Sequence, residues 1–177
     1  SGDLTINLVF KLNSETTTNY GGLFVMSQYQ TTEGGTDITL KDGNYIRINV
    51  GNSDSSARLF FDSRPFLGPG GTSLLPPLIP GRIYALIFRI KDTDPLNSDG
   101  VFFVDLIDIS TGKTDSYSGI LVSPATGVGQ NVPTLAGVDG FASSTYSLDV
   151  TYYELGIAND ISINIEEYKE YVLARYS

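Results

Sequence analysis

The sequence predicts an antiparallel all-β fold, a two-sheet jelly-roll sandwich closed by one short C-terminal α-helix. Three observations predict it. Apolar residues recur at period two along most of the chain, and Gly, Pro, Asn and Asp interrupt them at short intervals. Only after Asn164 does the period lengthen to that of a helix. No repeat of solenoid or propeller length is present, and nothing divides two cores, so residues 1–177 read as one domain, excised from a longer protein.

The first strand is the run Leu4 to Leu12, in which Leu4, Ile6, Leu8, Phe10 and Leu12 share one side and predict a half-buried strand. Asn13 to Gly22 reads as a loop ending in Gly-Gly, followed by a strand over Leu23 to Tyr29. In Ile38 to Val50, Asp42-Gly43 predicts a tight hairpin turn between two alternating arms. A further turn at Gly51 to Ser56 leads into a strand over Arg58 to Asp62. Residues 63–81 hold Pro65, Pro69, Pro76, Pro77 and Pro80, and proline cannot donate to a ladder, so a long crossing loop is expected. Leu74, Leu75, Leu78 and Ile79 within it are expected to pack across one end of the sandwich.

Ile83 to Ile90 is apolar on both parities, the mark of a central strand covered on both faces. Val101 to Ile109 follows, then a turn at Ser110 to Lys113 and a return through Tyr117 to Val122. After the Pro/Gly/Thr-rich stretch Ser123 to Pro133, closing strands are expected at Thr134 to Val138 and Tyr146 to Ile157. Ile165, Tyr168, Tyr171, Val172 and Tyr176 then fall at helical spacing, with Asn164 as N-cap and Glu167 three residues on.

Composition narrows the chemistry. The net charge of -9 gives a field that repels phosphate backbones and anionic head groups, so nucleic acid is not an expected partner. No apolar run reaches the roughly 20 residues of a bilayer span, so no membrane insertion is expected. Cysteine and histidine are both absent, which removes disulfides, thiol nucleophiles, Ser-His-Asp arrangements and the usual transition-metal ligands.

Several stretches carry a family resemblance. Leu4-Thr-Ile-Asn-Leu-Val-Phe-Lys-Leu12 and Pro80-Gly-Arg-Ile-Tyr-Ala-Leu-Ile-Phe-Arg89 look like a first and a mid-domain strand, and Thr134-Leu-Ala-Gly-Val138 and Tyr152 to Asp160 with the helix Glu166 to Tyr176 look like an ending. Together they resemble the concanavalin A-like, or laminin-G-like, jelly roll of bacterial and phage surface proteins. The likeness implies a fold more than a ligand, and tryptophan, common in that family, is absent here.

Four constellations are weighed for function. Tyr45, Arg47, Asn49, Arg58, Phe60 and Asp62 fall on one parity of adjacent strands; aromatic rings stack on sugars and Arg, Asn and Asp pair with hydroxyls, against the alternative of a solvated outer face. Asp92, Asp94, Asn97 and Asp99 gather hard oxygen ligands in one loop, which makes calcium the candidate cofactor, against an ordinary turn composition. Asp105 and Asp108 are the nearest approach to a glycosidase pair, but three positions apart on a strand they project to opposite faces. Tyr152, Tyr153, Tyr168, Tyr171 and Tyr176 cluster near the C-terminus and read as core beneath the helix, against the alternative of a groove or subunit interface, where tyrosine is enriched.

The expectation is a non-catalytic carbohydrate-binding or adhesion module of a larger cell-surface or phage tail-fibre protein, placed outside the cell or on a virion. Its partner would be a cell-surface glycan or polysaccharide, with a homo-oligomer such as a trimer as a further possibility. The rivals are a structural viral or phage domain serving homo-oligomer assembly, and a glycoside hydrolase of the same fold.

Overall fold

The computed structural model describes residues 3–15, 20–31, 38–53, 56–64, 75–94, 99–122, 132–135 and 148–177. Nine strands and one helix are defined among them. They are β1 (Leu4–Leu12), β2 (Tyr20–Thr31), β3 (Ile38–Ser53), β4 (Ser56–Arg64), β5 (Ile83–Asp94), β6 (Asp99–Asp108), β7 (Lys113–Val122), β8 (Val132–Leu135), β9 (Val150–Ala158) and α1 (Ile165–Tyr176). The strands form two sheets, a five-stranded one in the order β7-β6-β5-β1-β9 and a four-stranded one in the order β4-β3-β2-β8, all pairings antiparallel.

Period-two alternation builds the core between the sheets. Ile6, Leu8, Phe10, Leu86, Phe88, Val104 and Leu106 from the five-stranded sheet meet Phe24, Ile48, Val50 and Leu59 from the four-stranded one, all essentially removed from water. At roughly 25 cal/mol per Å² of apolar area, this layer is the main source of stability in a chain without disulfides.

A second, smaller core lies on the outer face of the five-stranded sheet. Val9, Ala85, Ile87, Ile107 and Ile109 pack there against Val172 of α1, with Tyr168, Leu173 and Tyr176 around them. This explains why β5 is apolar on both parities: one side faces the opposite sheet and the other the helix. It also covers β1 on both sides, so the expected half-buried strand is instead buried at Thr5 and Val9 too. Helix α1 begins where expected, with the Asn164 carbonyl oxygen of the side chain accepting from Glu166 N at 3.1 Å and Glu167 N at 3.3 Å.

Four local expectations are corrected. Asp42-Gly43 is not a hairpin turn: it lies inside the continuous strand β3, where Ser27 pairs with Tyr45 but Tyr29 already pairs with Leu40. The extra residues on β3 form a bulge, which turn-favouring residues also serve. The second strand starts at Tyr20, so Gly21-Gly22 is strand and not loop. In the crossing segment Leu75 and Leu78 are buried and Leu78 bridges to Ala57, but Ile79 is 45% exposed; Leu74 lies outside the described residues. Finally, the strand expected from Thr134 is defined as Val132–Leu135 on the sheet edge, where Pro133 is tolerated.

Candidate functional site

The pairing of β3 with β4 sets the register of the polar-aromatic strip. Tyr45 stands opposite Arg64, Arg47 opposite Asp62, Asn49 opposite Phe60 and Gly51 opposite Arg58. These positions alternate with Ile48, Val50 and Leu59, whose side chains fill the core. The strip positions therefore share the parity that alternates with these core residues. All six residues named from the sequence fall in this register, and Arg64, opposite Tyr45, is a seventh that the sequence reading missed because the strand was ended at Asp62. Arg58 is half-buried, and its Nη1 donates to the carbonyl oxygen of Leu75 at 3.2 Å, which ties the crossing segment to β4.

On the five-stranded sheet, the two aspartates weighed as a hydrolase pair part company. Asp105 takes Arg89 Nη2 at 2.8 Å on one carboxylate oxygen and the Ser116 hydroxyl at 2.6 Å on the other, with the Arg89 guanidinium 5.3 Å from the Phe103 ring centroid. Asp108, on the other parity, closes the turn into β7. It accepts from Ser110 N at 2.9 Å, from the Ser110 hydroxyl at 2.6 Å and from Arg82 at 2.7 Å. Burial pushes the Asp108 carboxyl up, but the Ser110 and Arg82 bonds outweigh it and hold it below the usual carboxylate value. Both carboxylates act in structure.

The C-terminal tyrosines divide in a way the core reading does not anticipate. Between β1 and β9, Val9 pairs with Glu154 and Phe10 with Tyr152, so Tyr153 is an unopposed bulge residue. Tyr152 points inward and donates to the carbonyl of Leu23 at 2.5 Å, and Glu154 turns to the helix side. There its Oε1 accepts from Tyr171 at 2.5 Å and Tyr176 at 2.6 Å, with Arg175 Nε at 3.3 Å. Tyr168 is core-like, its phenol pushed up to about 12 chiefly by burial, whereas Tyr153 and Tyr171 are 39% and 44% exposed.

Asp92, Asp94 and Asp99 occupy backbone positions at the open end of β5 and β6, where Asp94 pairs with Asp99 and Asp92 with Gly100; Asn97 lies outside the described residues. Among the described residues no three acidic side chains converge as a metal site.

No family model matches this sequence, and no curated protein is similar to it. Among solved structures, the fold is similar to that of the marine PL-14 alginate lyase from Aplysia kurodai, with a TM-score of 0.56 over 89% of this chain and 70% of that chain at 9% identity. The two-sheet jelly roll is thus shared with known proteins. The expectation of a non-catalytic binding or adhesion module, and with it the reading that the chain is no enzyme, is corrected: it rested on likeness of fold, and a solved structure with a similar fold is an alginate lyase, an enzyme acting on a polysaccharide.

Proposed function

We propose that this domain cleaves an acidic, uronate-containing polysaccharide held along the outward face of the four-stranded sheet. The observation that carries the reading is the placement of charge. In a chain of net charge -9, Arg47, Arg58 and Arg64 take three of the paired face positions on β3 and β4, with Asp62 the one acid among them. A locally cationic strip draws a polyanion that the rest of the surface repels. The fold shared with an alginate lyase supports the same substrate class.

The residue types favour elimination over hydrolysis. Hydrolysis needs two carboxylates across the bond, and the strip contributes one. Elimination needs the uronate carboxylate neutralised, which acidifies the C5 proton; Arg47 and Asn49 are donors suited to that. With no histidine in the chain, Tyr45 is the residue type on the strip able to carry a proton. Tyr45 oxygen takes the C5 proton, the C4–O bond to the departing sugar breaks, and the electron pair forms the C4=C5 double bond. The phenol then returns its proton to the departing oxygen.

The test is incubation with alginate, polygalacturonate and neutral glucans, with and without calcium, reading the ultraviolet absorbance of the unsaturated uronate and the new reducing ends. Absorbance should rise on an acidic polymer only, and Arg47→Ala should lower the rate by about a hundredfold. The reading falls if no acidic polymer yields the double bond, or if Tyr45→Phe cleaves as fast as the parent.

A further inference from the structure

The bulge at Tyr153 makes a second surface, at the edge of the other sheet. Without it, Tyr152 and Glu154 would share a face; with it, one is turned into the core and the other toward α1. Bulges of this kind re-aim a side chain, and the side chain re-aimed here is a carboxylate that organises aromatic rings.

Glu154 Oε1 receives the hydroxyls of Tyr171 and Tyr176 and the Arg175 Nε. The Tyr153 ring lies 5.5 Å from that of Tyr176, and the Arg175 guanidinium sits 5.6 Å from the Tyr176 centroid and 6.0 Å from the Tyr171 centroid. Tyrosines that only close a core bury their rings, as Tyr84 does at 3% exposure. Tyr153 and Tyr171 instead leave about two-fifths of their surface in water, at 39% and 44%. Because the Tyr171 and Tyr176 hydroxyls are already bonded, these two rings are oriented before any ligand arrives, which lowers the entropy lost on binding.

We infer that this rim is a saccharide-binding surface for an uncharged sugar, separate from the cationic strip of the four-stranded sheet. The apolar face of a pyranose stacks on a tyrosine ring, and the remaining Arg175 N–H groups donate to its hydroxyls while the Glu154 carboxylate accepts. Glu154 balances Arg175, and exposed Glu166, Glu167 and Glu170 on the same helix make the surroundings acidic, which excludes a polyanion. The exposed aliphatics of β9 do not extend the rim: Leu155 and Ile157 stand opposite Leu8 and Ile6, on the side of the strand that faces the other sheet. The surface is thus exposed ring faces beside a hydrogen-bonding ion pair, without aliphatic area, which matches the apolar face and hydroxyl edge of a sugar.

The chain has eleven tyrosines spread over both sheets, so binding is read by titration calorimetry and located by the variants. Neutral gluco- and manno-oligosaccharides and, separately, oligouronates are titrated into the wild type, Tyr153→Ala and Tyr171→Phe, each first checked for an unchanged melting temperature. A neutral oligosaccharide should bind; Tyr153→Ala should weaken it by about fivefold to tenfold, and Tyr171→Phe, which keeps the ring, by less. Arg47→Ala should leave this binding unchanged, which separates it from the cleavage proposed for the other sheet. The inference is overturned if no neutral sugar binds, if Tyr153→Ala binds as the parent does, or if the wild type is a dimer that Tyr153→Ala dissociates while sugars have no effect.

Discussion

The side-chain amide of Asn7 donates to the phenol oxygen of Tyr168 at 3.1 Å, joining the first strand to the final helix across 161 positions of sequence. The bond crosses the outer core, where α1 lies on β1, and fixes how the helix sits on the sheet.

The Tyr168 phenol is held neutral by burial, and its value is pushed up to about 12 from 10.0. A raised folded value means that the stabilisation is complete below pH 10.0 and is lost as pH rises toward about 12, because the unfolded chain ionises first. Urea midpoints measured through this alkaline window should fall for the wild type. In Tyr168→Phe that part of the fall should disappear.

Gly156 is opposite Asn7 on β9, and a Cβ built there would lie 2.8 Å from Asn7 Cγ and 2.9 Å from its Nδ2. Gly156→Ala should therefore displace Asn7, break its bond to Tyr168 and cost about 1–3 kcal/mol. Thermal unfolding measures it. The paired change Asn7→Ser with Gly156→Ala, which makes room for the methyl, should recover part of the loss; a single Gly156→Ala as stable as the parent would show that Asn7 is not packed this way.

These two residues also mark how far the sequence is legible. Alternation placed Leu4 to Leu12, Ile83 to Ile90 and the helix start at Asn164, because burial writes its own period into a strand or a helix. The partner across a sheet leaves no such trace: nothing in Asn7 announces Tyr168, and nothing in Tyr152-Tyr153-Glu154 announces a bulge that sends neighbours of equal parity to opposite faces. Asp42-Gly43 misled for a related reason, since a bulge and a tight turn ask for the same residues. The β3–β4 strip was readable because it needs only strand parity and adjacency. Function was not, because one fold carries both binding modules and enzymes.

The Arg89–Asp105 pair, with side chains 20% and 10% exposed, is mostly withdrawn from water. Asp105→Leu alone leaves the Arg89 cation without its acceptor and should cost about 3 kcal/mol. Replacing both, Arg89→Leu with Asp105→Leu, removes the uncompensated charge and should restore most of that loss. Chemical denaturation of the two single variants and the double closes the cycle. Additive losses would mean that the pair is not coupled.

Asp108 predicts the acid side. Its folded value is depressed from 3.8 by the Ser110 and Arg82 bonds, so its stabilisation is present above pH 3.8 and is lost as pH falls through the lower folded value. Asp108→Asn keeps an oxygen for Ser110 N but loses the charge that Arg82 meets at 2.7 Å. With Arg82 38% exposed, solvent screens that pair, and the neutral-pH loss should be no more than about 1 kcal/mol. The difference between variant and parent should narrow below pH 3.8, as the parent's own carboxylate is protonated. Melting temperatures compared at neutral and acid pH decide the point: a gap that stays constant would assign the role of Asp108 to turn geometry rather than to charge.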